Sequence, residues 1–188
     1  HLLTERVSAD ILYTDVFDAN ELAAALDRIE GYDGIAVVAL DHPRVREAIN
    51  SLVTRGIEVV TLVSDVPSAS RAHFVGIDNS AAGRTAATLL GRLLGNRKGK
   101  VGIIAGSLAL RDHAERHFGF VQVMAQEYRN LKLLAVREAR DNAGRTSFVT
   151  TQLLDEHPDL VGLYNVGAGT DGIVRSEEHT SELQSHHP

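Results

Sequence analysis

The 188-residue chain contains no cysteine and no tryptophan, and only 5% of its residues are aromatic. The absence of cysteine excludes a disulfide scaffold and a thiolate metal site. Its hydrophobic runs, such as Ile35–Leu40, are far shorter than the ~18 residues that a membrane-spanning helix needs. We therefore expect no disulfide framework and no membrane partner.

Basic residues are also in the minority. The chain has 19 Lys and Arg against 25 Asp and Glu, which gives a formal net charge of -6. A protein that binds duplex DNA directly needs a basic surface to neutralise phosphates, so DNA is not expected to contact these residues. The composition, 44% hydrophobic and 23% charged, is typical of a folded globular protein.

Short hydrophobic segments alternate with amphipathic ones along the chain. The predicted strands are Ile11–Thr14, Ile35–Leu40, Val59–Val63, Phe74–Ile77, Val101–Ala105, Leu131–Val136 and Val161–Val166. The predicted helices are Asn20–Ile29, capped by Asp18 or Asn20, Pro43–Arg55, a long helix that is capped by Asp78 or Asn79 and extends to Leu94, His113–Tyr128 and Ala143–His157. This alternation predicts an α/β fold with mainly parallel sheets. The polar, glycine-containing joint Asn96–Lys100 predicts a boundary between two lobes.

Polar side chains follow the predicted strands. They are Asp41, Ser64, Asp65, Asp78, Asn79, Ser107, Arg140, Asp141 and Asn165. Ligands of open α/β sheets bind outside the carboxyl ends of the strands, so these residues are candidates for a binding site. Carboxylates, amides and guanidinium groups make many directional hydrogen bonds, which suits a polyhydroxylated ligand better than covalent chemistry.

Motifs of enzymes and metal sites are weak or missing. Gly167–Gly172 fits a dinucleotide fingerprint, but no ribose-binding acid follows at the required distance. His113 and His117 have helical spacing without an obvious third metal ligand. No nucleophile elbow and no phosphate-binding loop occurs. We therefore expect no catalytic residues, no metal, no cofactor and no enzymatic activity.

Several segments in order resemble a known family. They are Val75–Asn79 with Ala82–Ala86, Lys100–Ser107 followed by Ala114–Phe120, and His157–Asn165. Together they resemble the effector-binding, periplasmic-binding-protein-like core of lactose-repressor-type (LacI/GalR) transcription regulators. The resemblance implies two doubly wound parallel-sheet lobes that close on a sugar or another small effector.

The resemblance also implies how the chain is organised. Residues 1–99 correspond to an N-terminal lobe without its first strand, and residues 100–174 to an incomplete C-terminal lobe. The family's helix-turn-helix, which binds operator DNA, would precede these residues. The full-length protein is then expected to be a cytoplasmic homodimer. A chain that lacks parts of both lobes is not expected to bind sugar by itself.

The last residues have a different character. Residues 175–188 are polar, with Leu183 as the only large aliphatic side chain, and they resemble the translation of a sequencing-adapter oligonucleotide. We interpret them as a non-native tail and exclude them from the functional analysis.

The same resemblance assigns ligand contacts to individual positions. Arg116, three residues before the Gly-Phe pair, matches an arginine that grips ligand hydroxyls in relatives, and Asn165 matches an amide that points into the cleft. Either Ser64 or Asp65 matches a polar sugar-binding position, because the local register is ambiguous by one residue. Asp41 and Asp141 are weaker candidates that also suit helix caps.

The sequence thus favours an effector-binding core of a LacI/GalR-type regulator, in which a sugar controls operator affinity. The alternative is an extracytoplasmic sugar-binding protein of a transporter, which shares the fold. A sugar-modifying enzyme on a doubly wound sheet is a third, more remote interpretation.

Overall fold

The computed structural model describes residues 8–176. Its helices are α1 (Ala19–Asp27), α2 (Pro43–Thr54), α3 (Asn79–Leu94), α4 (Arg111–Glu127) and α5 (Ala143–Glu156). Its strands are β1 (Gly34–Val37), β2 (Glu58–Leu62), β3 (His73–Val75), β4 (Gly99–Ala105), β5 (Leu131–Leu133), β6 (Arg137–Glu138) and β7 (Leu160–Asn165).

The strands form two separate sheets. In the first sheet β2 lies between β1 and β3. In the second sheet β4 pairs with β5, β6 and β7. Every strand pair within residues 8–176 is parallel, which confirms the predicted α/β fold. Because parallel strands share one direction, their carboxyl ends meet at one edge of each sheet.

Local sequence explains where the helices begin. The Asp18 carboxylate accepts hydrogen bonds from two backbone N–H groups in the first turn of α1, and Asp78 accepts one from Ala81 in α3. Pro43 lies in the first turn of α2, where a missing N–H costs nothing. These residues determine where each helix begins after the loop that precedes it.

Two main hydrophobic cores divide the molecule. The first surrounds Ile49 and Val59, and the second surrounds Val101 and Phe120. Helix α3 supplies Ala87 and Leu94 to the second core and packs mainly on α4. We therefore define the first lobe as α1, α2 and β1–β3, and the second lobe as α3–α5 and β4–β7.

This division differs from the predicted lobe boundary. The sequence placed the boundary at Asn96–Lys100, but that segment only joins α3 to β4 within the second lobe. The chain crosses between lobes earlier, between β3 and α3. The sequence did not reveal that α3 packs mainly on α4.

Glycines allow α3 and α4 to approach very closely. A Cβ atom on Gly83 would lie 2.0 Å from the backbone oxygen of Arg116, and one on Gly119 would lie 2.2 Å from that of Ser80. Any side chain at either position would push the helix backbones apart. The two glycines therefore hold the Arg116 turn of α4 against the start of α3.

The predicted strand Ile11–Thr14 does not form. The described part of the chain contains no strand paired with this segment, and β1 pairs with β2 alone. The side chains of Ile11, Leu12 and Tyr13 are largely exposed. An isolated extended segment has no partner for its backbone groups, so a short hydrophobic segment alone is insufficient to make a strand. A largely apolar cavity of about 360 Å³ separates this segment from β1.

The C-terminal part of the described chain is helical at residues 170–176. Ser176 is buried, and its hydroxyl contacts the backbone oxygens of Ser147 and Gly172. Arg175 and Ser176 are the first two residues of the predicted tail, and residues 177–188 lie outside the described residues. No helix within residues 8–176 is long and apolar enough to cross a membrane.

Candidate functional site

The start of α4 connects the two lobes. The backbone N–H of Arg111 donates a hydrogen bond of 3.0 Å to the Ser64 hydroxyl, which follows β2 in the first lobe. Leu110, the N-cap residue of α4, forms no side-chain cap and is buried in the core of the first lobe. Ser64 thus replaces the missing cap from the opposite lobe, because helix N-terminal N–H groups need an acceptor.

Two small cavities lie beside this junction. One, of about 340 Å³, is lined by Asp41, Leu108, Ala109, Arg111, Ala114, Glu115 and Phe118. The other, of about 180 Å³, is lined by Val63, Asp65, Pro67, Phe74, Asn79, Arg111, Asp112 and Glu115. Both contain residues of the two lobes and share the ion pair of Arg111 with Glu115, whose atoms Nε and Oε1 are 2.8 Å apart. We refer to the two cavities together as the interlobe cleft.

Arg116 joins three elements of the second lobe. Its Nε donates a hydrogen bond of 2.8 Å to Asn79 Oδ1, and one terminal nitrogen donates a bond of 3.2 Å to the Val166 carbonyl. Another terminal nitrogen lies 3.5 Å from Asp112 Oδ2. Arg116 is therefore held between the start of α3, the end of β7 and the first turns of α4, beside the cleft.

Asp65 lines the smaller cavity but is bound by its own lobe. Its carboxylate accepts hydrogen bonds from Arg71, at 2.5 and 2.6 Å, from the Thr61 hydroxyl, and from the Val66 N–H. Burial raises the pKa of Asp65, but the hydrogen bonds from Arg71 and Thr61 outweigh it and lower the pKa below its usual value. Asp65 therefore lines the cavity with a carboxylate of fixed orientation, and hydrogen bonds within its own lobe already occupy most of its acceptor positions.

Asp141 bridges two loops at the edge of the second sheet. It has a positive φ of 53°, which is uncommon for a residue other than glycine, and its Oδ1 accepts a hydrogen bond of 2.9 Å from the Ala168 N–H. Its other oxygen lies 3.8 Å from Nε2 of the buried His113. Asn142, not Asp141, caps α5.

Gly106 and Gly167 lie next to Asp141 at the same edge of the second sheet. A Cβ atom on either glycine would come within 2.6 Å of Asp141 Oδ1. His113 also uses its Nδ1 to accept a hydrogen bond of 3.2 Å from the Ser107 N–H. The glycines therefore leave room for a histidine and a carboxylate to lie side by side at the strand ends. No cluster of three or more metal-binding side chains occurs within residues 8–176.

Asn165 ends β7 and organises the turn behind it. Its Nδ2 donates hydrogen bonds to the carbonyls of Gly167 and Ala168 and to the Thr170 hydroxyl, at 3.1 to 3.2 Å. Its Oδ1 is buried and has no hydrogen-bond partner among the described residues. The structure therefore places Asn165 as a turn residue with one free acceptor.

Asp41 lies across the larger cavity from α4. One of its oxygens is 3.8 Å from a terminal nitrogen of Arg111, and its backbone N–H contacts the Ala109 carbonyl at 3.4 Å. His42, rather than Asp41, caps α2. Neither Asp41 nor Asp141 is thus a helix cap, the alternative role that the sequence suggested for both.

The structure adds residues that the sequence reasoning missed. Asp112 and Glu115 face the cleft from α4. Asn79, already a strand-end candidate, is buried and accepts the Arg116 hydrogen bond. The missed signal is the charge pattern of α4. Arg111 with Glu115, and Asp112 with Arg116, are oppositely charged pairs four residues apart.

Comparison with known proteins gives a family match over most of the chain. The sequence profile of the periplasmic binding protein domain matches residues 5–179. A search of curated proteins found no match.

Solved structures give the same result for the fold. A glucose-galactose binding protein from Geobacillus stearothermophilus is 28% identical, with a TM-score of 0.73 over 88% of this chain and 57% of its own. A transporter solute-binding protein from Burkholderia graminis, in complex with D-arabinose, is 25% identical, with a TM-score of 0.79 over the same shares. An arabinose-binding protein from Geobacillus stearothermophilus is 28% identical, with a TM-score of 0.64 over 87% of this chain and 56% of its own. The chain thus spans little more than half the length of these relatives.

Proposed function

The chain belongs to the periplasmic binding protein domain family, whose members bind ligands rather than catalyse reactions, and we propose that it binds a sugar or similar small polyol. The observation that carries the proposal is the interlobe cleft, which presents charged donors and acceptors of both lobes to one space. Sugar hydroxyls both donate and accept hydrogen bonds, so such a mixed lining suits them.

Two further observations support a sugar. Arg116 keeps its guanidinium beside the cleft, where the family resemblance expects a ligand-gripping arginine. The relatives that are 25 to 28% identical include a glucose-galactose binding protein and two proteins described with arabinose.

We further propose that the parent protein is a LacI/GalR-type regulator. The ordered motifs Val75–Asn79, Lys100–Ser107 and Ala114–Phe120 support this assignment. A sugar that binds the closed lobes better than the open ones shifts their populations, and this shift changes the operator affinity of a helix-turn-helix domain. Palindromic operators require a two-fold dimer, so the regulator is a cytoplasmic homodimer in this proposal.

The second candidate is an extracytoplasmic sugar-binding protein that serves a transporter. The observation that favours it is the solved relatives, among which transporter solute-binding proteins occur. The coding sequence immediately upstream discriminates between the two candidates. A helix-turn-helix supports the regulator, and a secretory signal peptide supports the transport protein.

Calorimetric titration with D-glucose, D-galactose and L-arabinose tests sugar binding. The titrations use the 188-residue chain and also the longer protein of which, in this proposal, the chain is a part. We expect saturable binding of at least one sugar by the longer protein, and a higher melting temperature in its presence. A ligand that binds only the folded state stabilises it by about 2.7 kcal/mol at a concentration 100 times its Kd. Absence of heat and of thermal stabilisation for both proteins with all three sugars refutes the proposal.

A further inference from the structure

We propose that the interlobe cleft selects ligands without negative charge, and that Asp112 is the residue that makes this selection. The inference rests on the proposed sugar-binding function and narrows its ligand class. It predicts that a neutral sugar binds and that the sugar acid of the same ring does not.

Asp112 carries an unsatisfied acceptor at the cleft. The residue is 4% exposed and lines the smaller cavity from the first turn of α4. Its Oδ1 is buried and accepts no hydrogen bond from any described residue. A buried carboxylate oxygen without a donor costs free energy, so a donor supplied by a ligand is favoured at this position.

The other carboxylate oxygen is oriented by its neighbours. Asp112 Oδ2 lies 3.5 Å from a terminal nitrogen of Arg116 and 3.6 Å from His113 Nε2. These contacts direct one side of the carboxylate toward positive or polar partners within the second lobe. The opposite oxygen is therefore the one left for a ligand.

Acidic groups also outnumber basic groups around the smaller cavity. Its lining includes the carboxylates of Asp65, Asp112 and Glu115, and one guanidinium, that of Arg111. Arg111 is paired with Glu115, and Asp65 with Arg71. The lining thus offers an anionic ligand no unpaired cation, and Arg116 next to it is itself paired with Asp112.

The hydrogen-bonding chemistry of these carboxylates determines which ligand groups are compatible. An ionised carboxylate only accepts hydrogen bonds, and a sugar hydroxyl can donate one to it. A ligand carboxylate or phosphate at the same place would be repelled by a like charge in a poorly solvated cavity. Asp112 therefore accepts hydroxyl groups and excludes anions.

The experiment compares matched pairs of sugars. Calorimetry measures D-galactose against D-galacturonate, and D-glucose against D-glucuronate, on the protein that binds sugar in the titrations above. We expect the neutral member of the bound pair to bind at least about 100-fold more tightly than its acid. In Asp112→Asn, whose amide replaces the negative charge at nearly constant size, this ratio should fall at least about tenfold.

Glu127→Gln is the matched control, because it removes one exposed charge at the opposite end of α4. It should leave the ratio unchanged. Circular dichroism and thermal melting establish that each variant is folded, and Asp112→Ser is measured in place of Asp112→Asn if the latter is not.

Three outcomes overturn the inference. The inference fails if the wild-type protein binds the acid as tightly as the neutral sugar. It also fails if a folded Asp112 variant keeps the wild-type ratio within threefold. Failure of the wild-type protein to bind any sugar refutes the proposed function and the inference with it. Normal sugar binding without charge selection refutes only the inference.

Discussion

The hydroxyl of Ser64 in the first lobe caps α4 of the second lobe by accepting a hydrogen bond from the backbone N–H of Arg111. The two residues are separated by 47 positions in the sequence. Because the hydroxyl and the helix start belong to different lobes, the contact couples lobe position to the stability of the helix that lines the cleft.

Ser64→Ala should destabilise the protein by about 0.5 to 2 kcal/mol, the usual cost of losing a helix cap. Ser68→Ala is the matched control, because Ser68 is exposed in the same loop. Thermal unfolding followed by circular dichroism measures the difference. Equal melting temperatures for the two variants would show that the cross-lobe hydrogen bond does not stabilise the fold.

Asp65→Asn should cost on the order of 2 to 4 kcal/mol, because it leaves the Arg71 guanidinium without its largely buried carboxylate partner. Asp159→Asn is the control, since Asp159 is exposed where it pairs with Lys100, and the loss of stability should be much smaller than for Asp65→Asn. Denaturant unfolding at pH 7 measures both. Similar losses would contradict the structural role of the Asp65–Arg71 pair.

The contribution of Asp65 should depend on pH. Its pKa is lowered in the folded state relative to the unfolded value of about 3.9, so the stabilisation is present above about pH 4. It is lost as the pH falls through the lower folded pKa. Unfolding of the wild-type protein and of Asp65→Asn at pH 7, 5, 4 and 3 should therefore give a difference that shrinks toward acid. A difference that grows below pH 4 would reverse the sign of this assignment.

Arg116→Ala should weaken sugar binding at least about tenfold, because charge-assisted hydrogen bonds contribute about 1.5 to 3 kcal/mol each. Arg129→Ala removes an exposed arginine beyond the end of α4 and should leave the affinity unchanged. Calorimetry with the bound sugar, at a temperature where both variants are folded, compares them. Wild-type affinity in folded Arg116→Ala would remove this residue from the binding site.

Gly83→Ala should destabilise the protein by about 3 kcal/mol or more, since the new methyl group meets the backbone of α4 at 2.0 Å. Gly144→Ala provides the contrast, because its Cβ would approach only the Asn142 side chain, at 3.3 Å. We expect a change within about 1 kcal/mol there. If thermal melting shows both alanines to be tolerated, the α3–α4 contact is not as close as described.

The hydrophobic pattern and the caps predicted much of the fold. Pro43 was recognised as a helix start, and of the alternative caps the structure uses Asp18 rather than Asn20 and Asp78 rather than Asn79. The prediction for Ile11–Thr14 was wrong, because a short hydrophobic segment does not by itself provide a partner for its backbone groups.

Candidate site residues were predicted less completely. The resemblance pointed to Arg116 and to either Ser64 or Asp65. Asp65 lines the smaller cavity and Arg116 contacts Asn79 and Asp112, which also line it, yet the ligand roles stay predictions. Asp112 was missed because a charged residue near a helix start is most often solvated. Its burial depends on how α4 packs between the lobes, which no local pattern reports.

The sequence by itself determined the α/β alternation, the parallel sheets and the polar strand ends, because periodicity and capping act over a few neighbouring residues. Only the tertiary structure decided that α3 belongs to the second lobe, that Ser64 caps α4, and that Asp112 keeps a free buried oxygen. These features join residues distant in the chain, and their energies depend on close packing and on the exclusion of water, which exist only once the elements have assembled.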